Sequence, residues 1–257
     1  MILVVDIGNS TIICGLFEED RIRFTGRLST RTQKTDLEYA LDIKNLLELY
    51  RVKFSQVKGC IISSVVPQIT DIVRVATEKL FGRETMVLKP GIKTGLNIVM
   101  DNPAELGADR VADAVAASNE YPLPLTIIDM GTATTFSVID KDKRVVGGAI
   151  FPGVRVSLDA LTEHASKLSG ISLEKPRSVI GHNTEECMRS GVLYGNASLI
   201  DGMIDRMEDE LGEPLTVIAT GGNAEHVIPY CRHKVIHDET LLLRGLKRIY
   251  DRNCERR

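Results

Sequence analysis

Hydrophobic residues along this chain fall into short apolar runs separated by stretches with helical spacing. Residues 2–5, 12–17, 57–62, 125–129, 134–139, 145–151 and 215–220 read as strands. Between them, apolar positions recurring every three or four residues predict helices over about 36–50, 67–81, 104–119, 153–166, 184–211 and 239–253. Strands alternating with helices predict an α/β fold. Asn102-Pro103-Ala104-Glu105 has the composition of a capping box with proline at the first helical position, so a helix is expected to start there. The two prolines of "SNEYPLPL" interrupt the pattern and predict two domains, 1–121 and 122–257.

The second half echoes the first. "VVDIGNST" at 4–11 and "IIDMGTATT" at 127–135 share an acidic, glycine-centred turn. The 123-residue offset that places Asp129 on Asp6 also places Gly131 on Gly8, Thr134 on Thr11 and Arg144 on Arg21. Each copy reads strand, tight turn, second strand, polar turn ("EEDR", "KDKR") and third strand, as in a duplicated body. Glycine in such a turn lets backbone N–H groups crowd toward an anion, neighbouring hydroxyls add donors, and the aspartate can hold a cation or water. One Asp-x-Gly is explained by an ordinary hairpin. A matched pair points to two turns facing one polyphosphate across a cleft. A third turn, "VIATGGNAEHV" at 217–227, follows an apolar strand and precedes a helix, where Gly221 and Gly222 would let a base or ribose approach the backbone. The P-loop and Rossmann fingerprints and the protein-kinase signatures do not occur.

Composition narrows the partners. The 32 basic and 35 acidic residues leave a formal charge of −3, which offers no long-range attraction to nucleic acid or anionic lipid, so small-molecule ligands are favoured. No apolar run approaches the roughly 20 residues that span a bilayer, and the N-terminus lacks the features of a secretory signal, so a cytoplasmic location is expected. The five cysteines are scattered without a CxxC pair and read as reduced thiols. Cys231, His233 and His237 are close in sequence, but no second cluster completes a zinc site, and "KVIHDE" reads as a strand edge.

Glycine turns at two matched positions and at a third strand end resemble those of the acetate kinase, sugar kinase, Hsp70 and actin superfamily. That resemblance implies two duplicated ribonuclease H-like (actin-like ATPase) domains with a nucleotide cleft between them. Five motifs in order, "DIGNST" at 6–11, "NPAELGADR" at 102–110, "DMGTATTF" at 129–136, "GGAIFPGV" at 147–154 and "GHNTEE" at 181–186, resemble type III pantothenate kinases over nearly the whole chain.

The resemblance implies ATP-dependent phosphorylation of pantothenate, the first step of coenzyme A biosynthesis. It assigns ATP binding to Asp6, Ile7, Gly8, Asn9, Ser10, Thr11, Ile12, Ile13 and Thr132, and a monovalent cation, potassium or ammonium, to Asp129. Mg2+ is expected near Asp6. Pantothenate contacts fall on Met100, Gly107, Ala108, Asp109, Arg110 and Thr184, with Asp109 as general base. Met100 stands where the family usually carries an aromatic residue, which bears on tolerance for substrate analogues.

The residues themselves support these roles. A primary alcohol attacking a γ-phosphoryl group needs a carboxylate within hydrogen-bond reach, and Arg110 beside it can pair with a carboxylate or phosphate. Thr184, followed by Glu185 and Glu186, is also the composition of an ordinary helix start. Gly191-x-x-x-Gly195 reads as close helix packing. Surplus apolar residues in that helix, Val192, Leu193, Leu199, Ile200, Met203 and Ile204, predict a homodimer along it. Two other readings are a nucleotide or polyphosphate hydrolase of the same superfamily, in which water replaces the alcohol, and a nucleotide-binding accessory factor in transcriptional regulation. Asp109-Arg110 argues against the first, and the two turn aspartates together with Asp109 argue against the second.

Overall fold

In the computed structural model, which describes residues 1–164 and 171–254, the strand and helix runs close into two mixed sheets with helices packed on them. In chain order the elements are β1 (Ile2–Ile7), β2 (Thr11–Glu18), β3 (Arg21–Ser29), α1 (Asp36–Leu49), β4 (Gly59–Ser64), α2 (Pro67–Phe81), β5 (Met86–Val87), β6 (Asn97–Ile98) and α3 (Ala108–Glu120). They continue with β7 (Leu125–Met130), β8 (Ala133–Ile139), β9 (Arg144–Pro152), α4 (Val154–His164), α5 (Thr184–Leu211), β10 (Thr216–Thr220), α6 (Ala224–Val227), β11 (Val235–His237) and α7 (Leu241–Cys254).

Local chemistry fixes several ends. Thr35 and Glu38 form a reciprocal capping box at the start of α1. Pro67 opens α2 and Gly82, at φ +63°, closes it. Asn183 caps α5 by accepting from the Glu186 N–H, and Gly212, at φ +74°, ends it. Pro103–Glu105, by contrast, is a single 3-10 turn. Asn102 makes no side-chain cap bond there and spends its amide on Glu105 Oε1 at 2.7 Å, so the expected helix start moves to Ala108. The last two residues of the helix expected at 153–166 lie outside the described residues.

Packing divides the chain into two units. One comprises Met1–Gly95, Asn102–Ala116 and the stretch from Leu241; the other comprises Leu96–Asp101 and Ala117–Thr240. These are not the contiguous segments 1–121 and 122–257. The cut falls inside α3, and α7 packs with the first unit, Gly245 lying against Ala112 and Gly59 against Tyr250 with no room for a Cβ at either glycine.

In the first unit the sheet order is β3-β2-β1-β4-β5, with β1 antiparallel to β2 and parallel to β4. Leu3, Val5, Ile7 and Ile62 bury one face against Tyr39, Ile43 and Leu47 of α1 and Ile69 and Val73 of α2. Truncating one such fully buried aliphatic side chain to alanine costs about 2–5 kcal/mol. Val4 points to the other face, where Leu243 of α7 lies against Gly15.

In the second unit the order is β11-β10-β7-β8-β9-β6, and Ile128, Met130 and Phe136 pack with Val192, Leu193, Ile200 and Ile204 of α5. Leu199 and Met203 are partly buried against the same core. The apolar surplus of α5 is therefore taken up within its own unit. Among the described residues nothing lies within 4 Å of where a Cβ at Gly191 or Gly195 would be, so the expected close helix packing at these glycines is not seen there.

Candidate active site

The first acidic turn connects β1 to β2. Asp6 ends up 8% exposed near the C-terminal end of β1, because its strand is central in the sheet. The Gly8 N–H donates to Thr11 O at 3.0 Å, closing a turn whose tip, Asn9 and Ser10, is exposed. Thr30, just past β3, braces this turn from the side. Its hydroxyl donates to Gly8 O at 2.7 Å and its N–H to Ser10 O at 3.2 Å. Ile12 and Ile13 continue into β2, and Cys14 behind them is not a nucleophile. Burial, helped by the negative charge of Asp6, pushes its thiol up to about 12.

The same unit brings the start of α3 to this strand edge. The Val65 N–H donates to Ile7 O at 3.0 Å, and the Val65 side chain lies 4.0 Å from where a Gly107 Cβ would be. Gly107 precedes Ala108, the first residue of α3. Asp109 follows in the first helical turn, and its Oδ1 accepts from the Arg110 N–H at 2.7 Å. A Cβ on Gly107 would overlap that Oδ1, so glycine is needed for the carboxylate to sit where it does. Asp109 Oδ2 has no protein partner among the described residues. Asp109 and Arg110 are half-buried rather than fully solvated helix charges.

Within β4, Ser63 pairs with Asp6 across the parallel ladder. Its hydroxyl is fully buried and has no hydrogen-bond partner among the described residues.

The second acidic turn connects β7 to β8 and is one residue shorter. Gly131 N–H donates to Ala133 O at 3.0 Å, where Gly8 donates to Thr11 O. Met130 therefore pairs with Thr134 as Ile7 pairs with Ile12, so Ala133, not Thr134, takes the place of Thr11. The offset of 123 holds up to the glycine and drops by one beyond it until the longer hairpin at Asp140–Arg144 restores it. Side chains alternate along a strand, so a one-residue slip would have exchanged the two faces of β8.

Around this turn the backbone is crowded. Gly221, at φ +88°, has no space for a Cβ, which would overlap Asp129 Oδ1 and come within 2.7 Å of the Met130 backbone. The space a side chain at Gly221 would need is thus taken by Asp129. Asn223 donates from its N–H and its side-chain amide to Met130 O, both at 3.1 Å, and from the amide to Gly131 O at 3.3 Å. Gly153 N–H donates to Thr132 O at 3.0 Å, and a Cβ on Gly153 would lie 2.5 Å from Gly131 O. Thr132 stands exposed at the turn. Asp129 is flanked in register by Thr135 and Thr220, and the buried Thr135 hydroxyl has no partner among the described residues.

The remaining expected positions lie in the second unit. Met100 follows β6 in the second unit, half-buried. Thr184 is exposed at the first position of α5 beside its cap, at one end of a groove of about 400 Å³ that includes Leu161, Met188, Gly191 and Val192. Cys231 Sγ lies 3.9 Å from Val227 O, and burial pushes its thiol up to about 12. Its neighbour His233 instead pairs with Asp205 at 2.8 Å, near Glu208. Among the described residues, no helix is long and apolar enough to cross a membrane.

Thr30, Ser63, Gly153 and Asn223 carry no role in the sequence-based reading. Of these, Gly153 and Asn223 lay inside quoted motifs, whereas Thr30 and Ser63 become visible only through strand pairing.

Comparison with known proteins gives three findings. The family model for type III pantothenate kinase matches residues 2–206. A type III pantothenate kinase from Bacillus cytotoxicus is 44% identical over 254 residues, covering 99% of this chain and 97% of that one. Among solved structures, a conserved putative Baf family transcriptional activator from Campylobacter jejuni superposes with a TM-score of 0.63 at 20% identity, over 98% of this chain and 99% of that one. The activator of 2-hydroxyisocaproyl-CoA dehydratase from Clostridium difficile, with bound ADPNP, superposes at 0.57 and 11% identity, over 99% and 97%. These two likenesses carry the fold, which is that of the actin-like ATPases and sugar kinases.

Proposed function

The chain belongs to the type III pantothenate kinase family, and from that premise we propose how its residues divide the work of phosphoryl transfer. The reaction moves the γ-phosphoryl group of ATP to the primary alcohol of pantothenate, giving 4'-phosphopantothenate, the first step of coenzyme A biosynthesis. Such kinases use a divalent ion such as Mg2+.

In this reading Asp109 is the general base. The observation that carries it is the pose of its carboxylate, with Oδ1 fixed by the Arg110 N–H, Gly107 leaving room for it, and Oδ2 available to an alcohol proton. Arg110, Gly107 and Ala108 hold the substrate beside it, with Met100 and Thr184 as further contacts. The Asp6–Ile13 segment binds the phosphates through the backbone of its glycine turn, and Thr132 contributes from the second turn.

The donor sets suit hard cations. Asp6 would hold Mg2+, whose charge offsets that of the polyphosphate when bound, and Asp129, flanked in register by the hydroxyl residues Thr135 and Thr220, would hold potassium or ammonium. Without such ions two carboxylates near a polyanion would repel it. A homodimer along α4 and α5 completes the reading, supported by the open space at Gly191 and Gly195 and by exposed Val156 and Leu161. A cytoplasmic location fits an enzyme that draws on ATP.

The test is ATP consumption and product mass with pantothenate, a panel of small alcohols, or water alone. The expected product is 4'-phosphopantothenate, and consumption with water alone at the same rate would replace the kinase with a hydrolase. Asp109→Asn should lower kcat by about 100- to 10,000-fold while nucleotide binding persists; equal turnover would remove the base from Asp109. In the same assay at fixed ionic strength, potassium should support a faster rate than sodium, and Asp129→Asn should erase that difference. Equal rates in both salts would take the monovalent ion away from Asp129.

A further inference from the structure

Buried hydroxyl groups in folded proteins nearly always have a hydrogen-bond partner, and one left without costs about 1–3 kcal/mol. Ser63 is 0% exposed and its Oγ is unpartnered among the described residues. Its neighbour Ser64 shows what a purely structural serine does here. Ser64 Oγ accepts from the Val66 N–H at 3.1 Å and from the Thr70 hydroxyl at 2.8 Å, and so secures the entry to α2. No such account covers Ser63.

Its position is informative. Ser63 pairs with Asp6 in the β1–β4 register, so the two side chains share a sheet face, opposite to the one that Val5, Ile7 and Ile62 bury against α1 and α2. Two residues further on, Val65 meets the Gly107 position at the start of α3. A neutral hydroxyl therefore sits beside the carboxylate of Asp6 at the strand edge where Asp109 also begins its helix. The second acidic turn repeats the pairing of a carboxylate with an unpartnered hydroxyl, Thr135 beside Asp129, although on the antiparallel neighbour rather than the parallel one.

We infer that Ser63 is a positioning residue for the divalent cation at Asp6, its hydroxyl turning to donate a hydrogen bond to the carboxylate that holds the ion. The inference rests on the assignment of the divalent ion to Asp6. A carboxylate that ligates a metal is itself commonly held by an outer hydrogen-bond donor, and Ser63, paired with Asp6 across the ladder and closed to bulk solvent, is placed to be that donor. An unsatisfied buried hydroxyl retained beside a carboxylate is a local loss of stability that cation binding offsets.

The experiment measures metal binding and stability separately. Mn2+ serves as the probe, titrated by electron paramagnetic resonance of the free ion against the full chain in the presence of a non-hydrolysable ATP analogue. Ser63→Ala should weaken Mn2+ binding by about tenfold, the lower end for outer-shell partners, while the melting temperature of the metal-free protein stays level or rises. Unchanged Mn2+ affinity would overturn the inference. If Ser63→Ala fails to fold, Ser63→Cys keeps the volume with a weaker hydrogen-bonding group. Weakened Mn2+ binding in a folded Ser63→Cys protein supports the role, and wild-type affinity defeats it.

Asp6→Asn in the same titration separates this inference from its premise. If Asp6→Asn leaves Mn2+ binding intact, the ion is not at Asp6 and the premise fails. If Asp6→Asn weakens binding and Ser63→Ala does not, only the role of Ser63 fails. Product identity with pantothenate is read independently of both.

Discussion

The two aspartates at the ends of this chain's chemistry, Asp109 and Asp129, are each seated by a glycine whose missing Cβ would overlap their Oδ1. The resemblance ends there. At Gly107 a methyl group would meet little besides that carboxylate tip, and the backbone conformation is open to any residue. At Gly221 it would also press on the backbone of Met130, and φ is +88°. The first glycine thus sets the aim of a side chain, and the second is built into the backbone corner that holds the turn. On the proposed roles, a base that must meet a proton tolerates adjustment, whereas a cation seat depends on rigid oxygens.

Two substitutions probe the contrast. Gly221→Ala should have the largest effect, a loss of about 3 kcal/mol or more from the disfavoured φ and the backbone overlap together. Thermal melting checks it, and a shift of less than a degree would place Gly221 outside the corner's framework. Gly107→Ala should leave the melting temperature nearly unchanged and lower kcat by roughly 10- to 100-fold, because Asp109 must rotate away, about 1.4–2.7 kcal/mol of transition-state stabilisation. Wild-type kcat in this variant would mean that the observed carboxylate pose is not the working one.

The smallest effect concerns the next hairpin in each copy. Asp140 Oδ1 accepts from the N–H groups of Asp142 and Arg144, and its Oδ2 accepts from Arg144 Nε at 2.7 Å. Burial pulls the Asp140 carboxyl upward, but the Arg144 guanidinium and these N–H groups outweigh it and hold it below the usual carboxylate range. Because the folded value is depressed, the stabilisation is present above the unfolded carboxylate value near ~4 and is lost as pH falls through the folded one. Asp140→Asn should therefore cost about 1 kcal/mol at neutral pH, with the gap to wild type narrowing in acid. In the first copy Glu18 makes only an exposed pair with Arg23 at 3.2 Å, so Glu18→Gln should change little at any pH. A pH-independent gap for Asp140→Asn would remove the ionised carboxylate from the explanation.

Much of this was legible in the sequence where a local signal sufficed. Pro67 and Gly82 bracket α2, and Asn183 and Gly212 bracket α5, at the expected residues. The duplicated acidic turn was legible as well, since aspartate and glycine are retained at a fixed offset. Its length was not. By spacing Thr134 matches Thr11, and only the pairing of Met130 with Thr134 reveals the shorter second turn. Asn102–Glu105 carried a helix-start signal that the chain uses for one 3-10 turn. β5 and β6, two residues each, exist because neighbouring strands offer edges, and no periodicity of their own announces them. Thr30 and Ser63 lie far in sequence from the turn they serve, so their roles depend on register. The surplus of apolar residues on α5 was visible, but whether it met a partner chain or its own sheet was a question of packing, and its own sheet takes them.

The placement of α7 bears on how the protein is made. The sheet that carries Asp6 and the start of α3 receives Leu243, Gly245 and Tyr250 from the far end of the chain, while the second unit, apart from its β6 segment, is a continuous stretch. On a ribosome delivering residues from the N-terminus at about 5–20 per second, the first unit is the earlier to emerge but the later to finish. The sheet face bearing Val4 and Gly15 stays without its covering helix until the second unit has been synthesised. The unit that bears Asp109 thus completes its fold only after the second unit has been made, and a message interrupted before residue 241 yields no finished version of it.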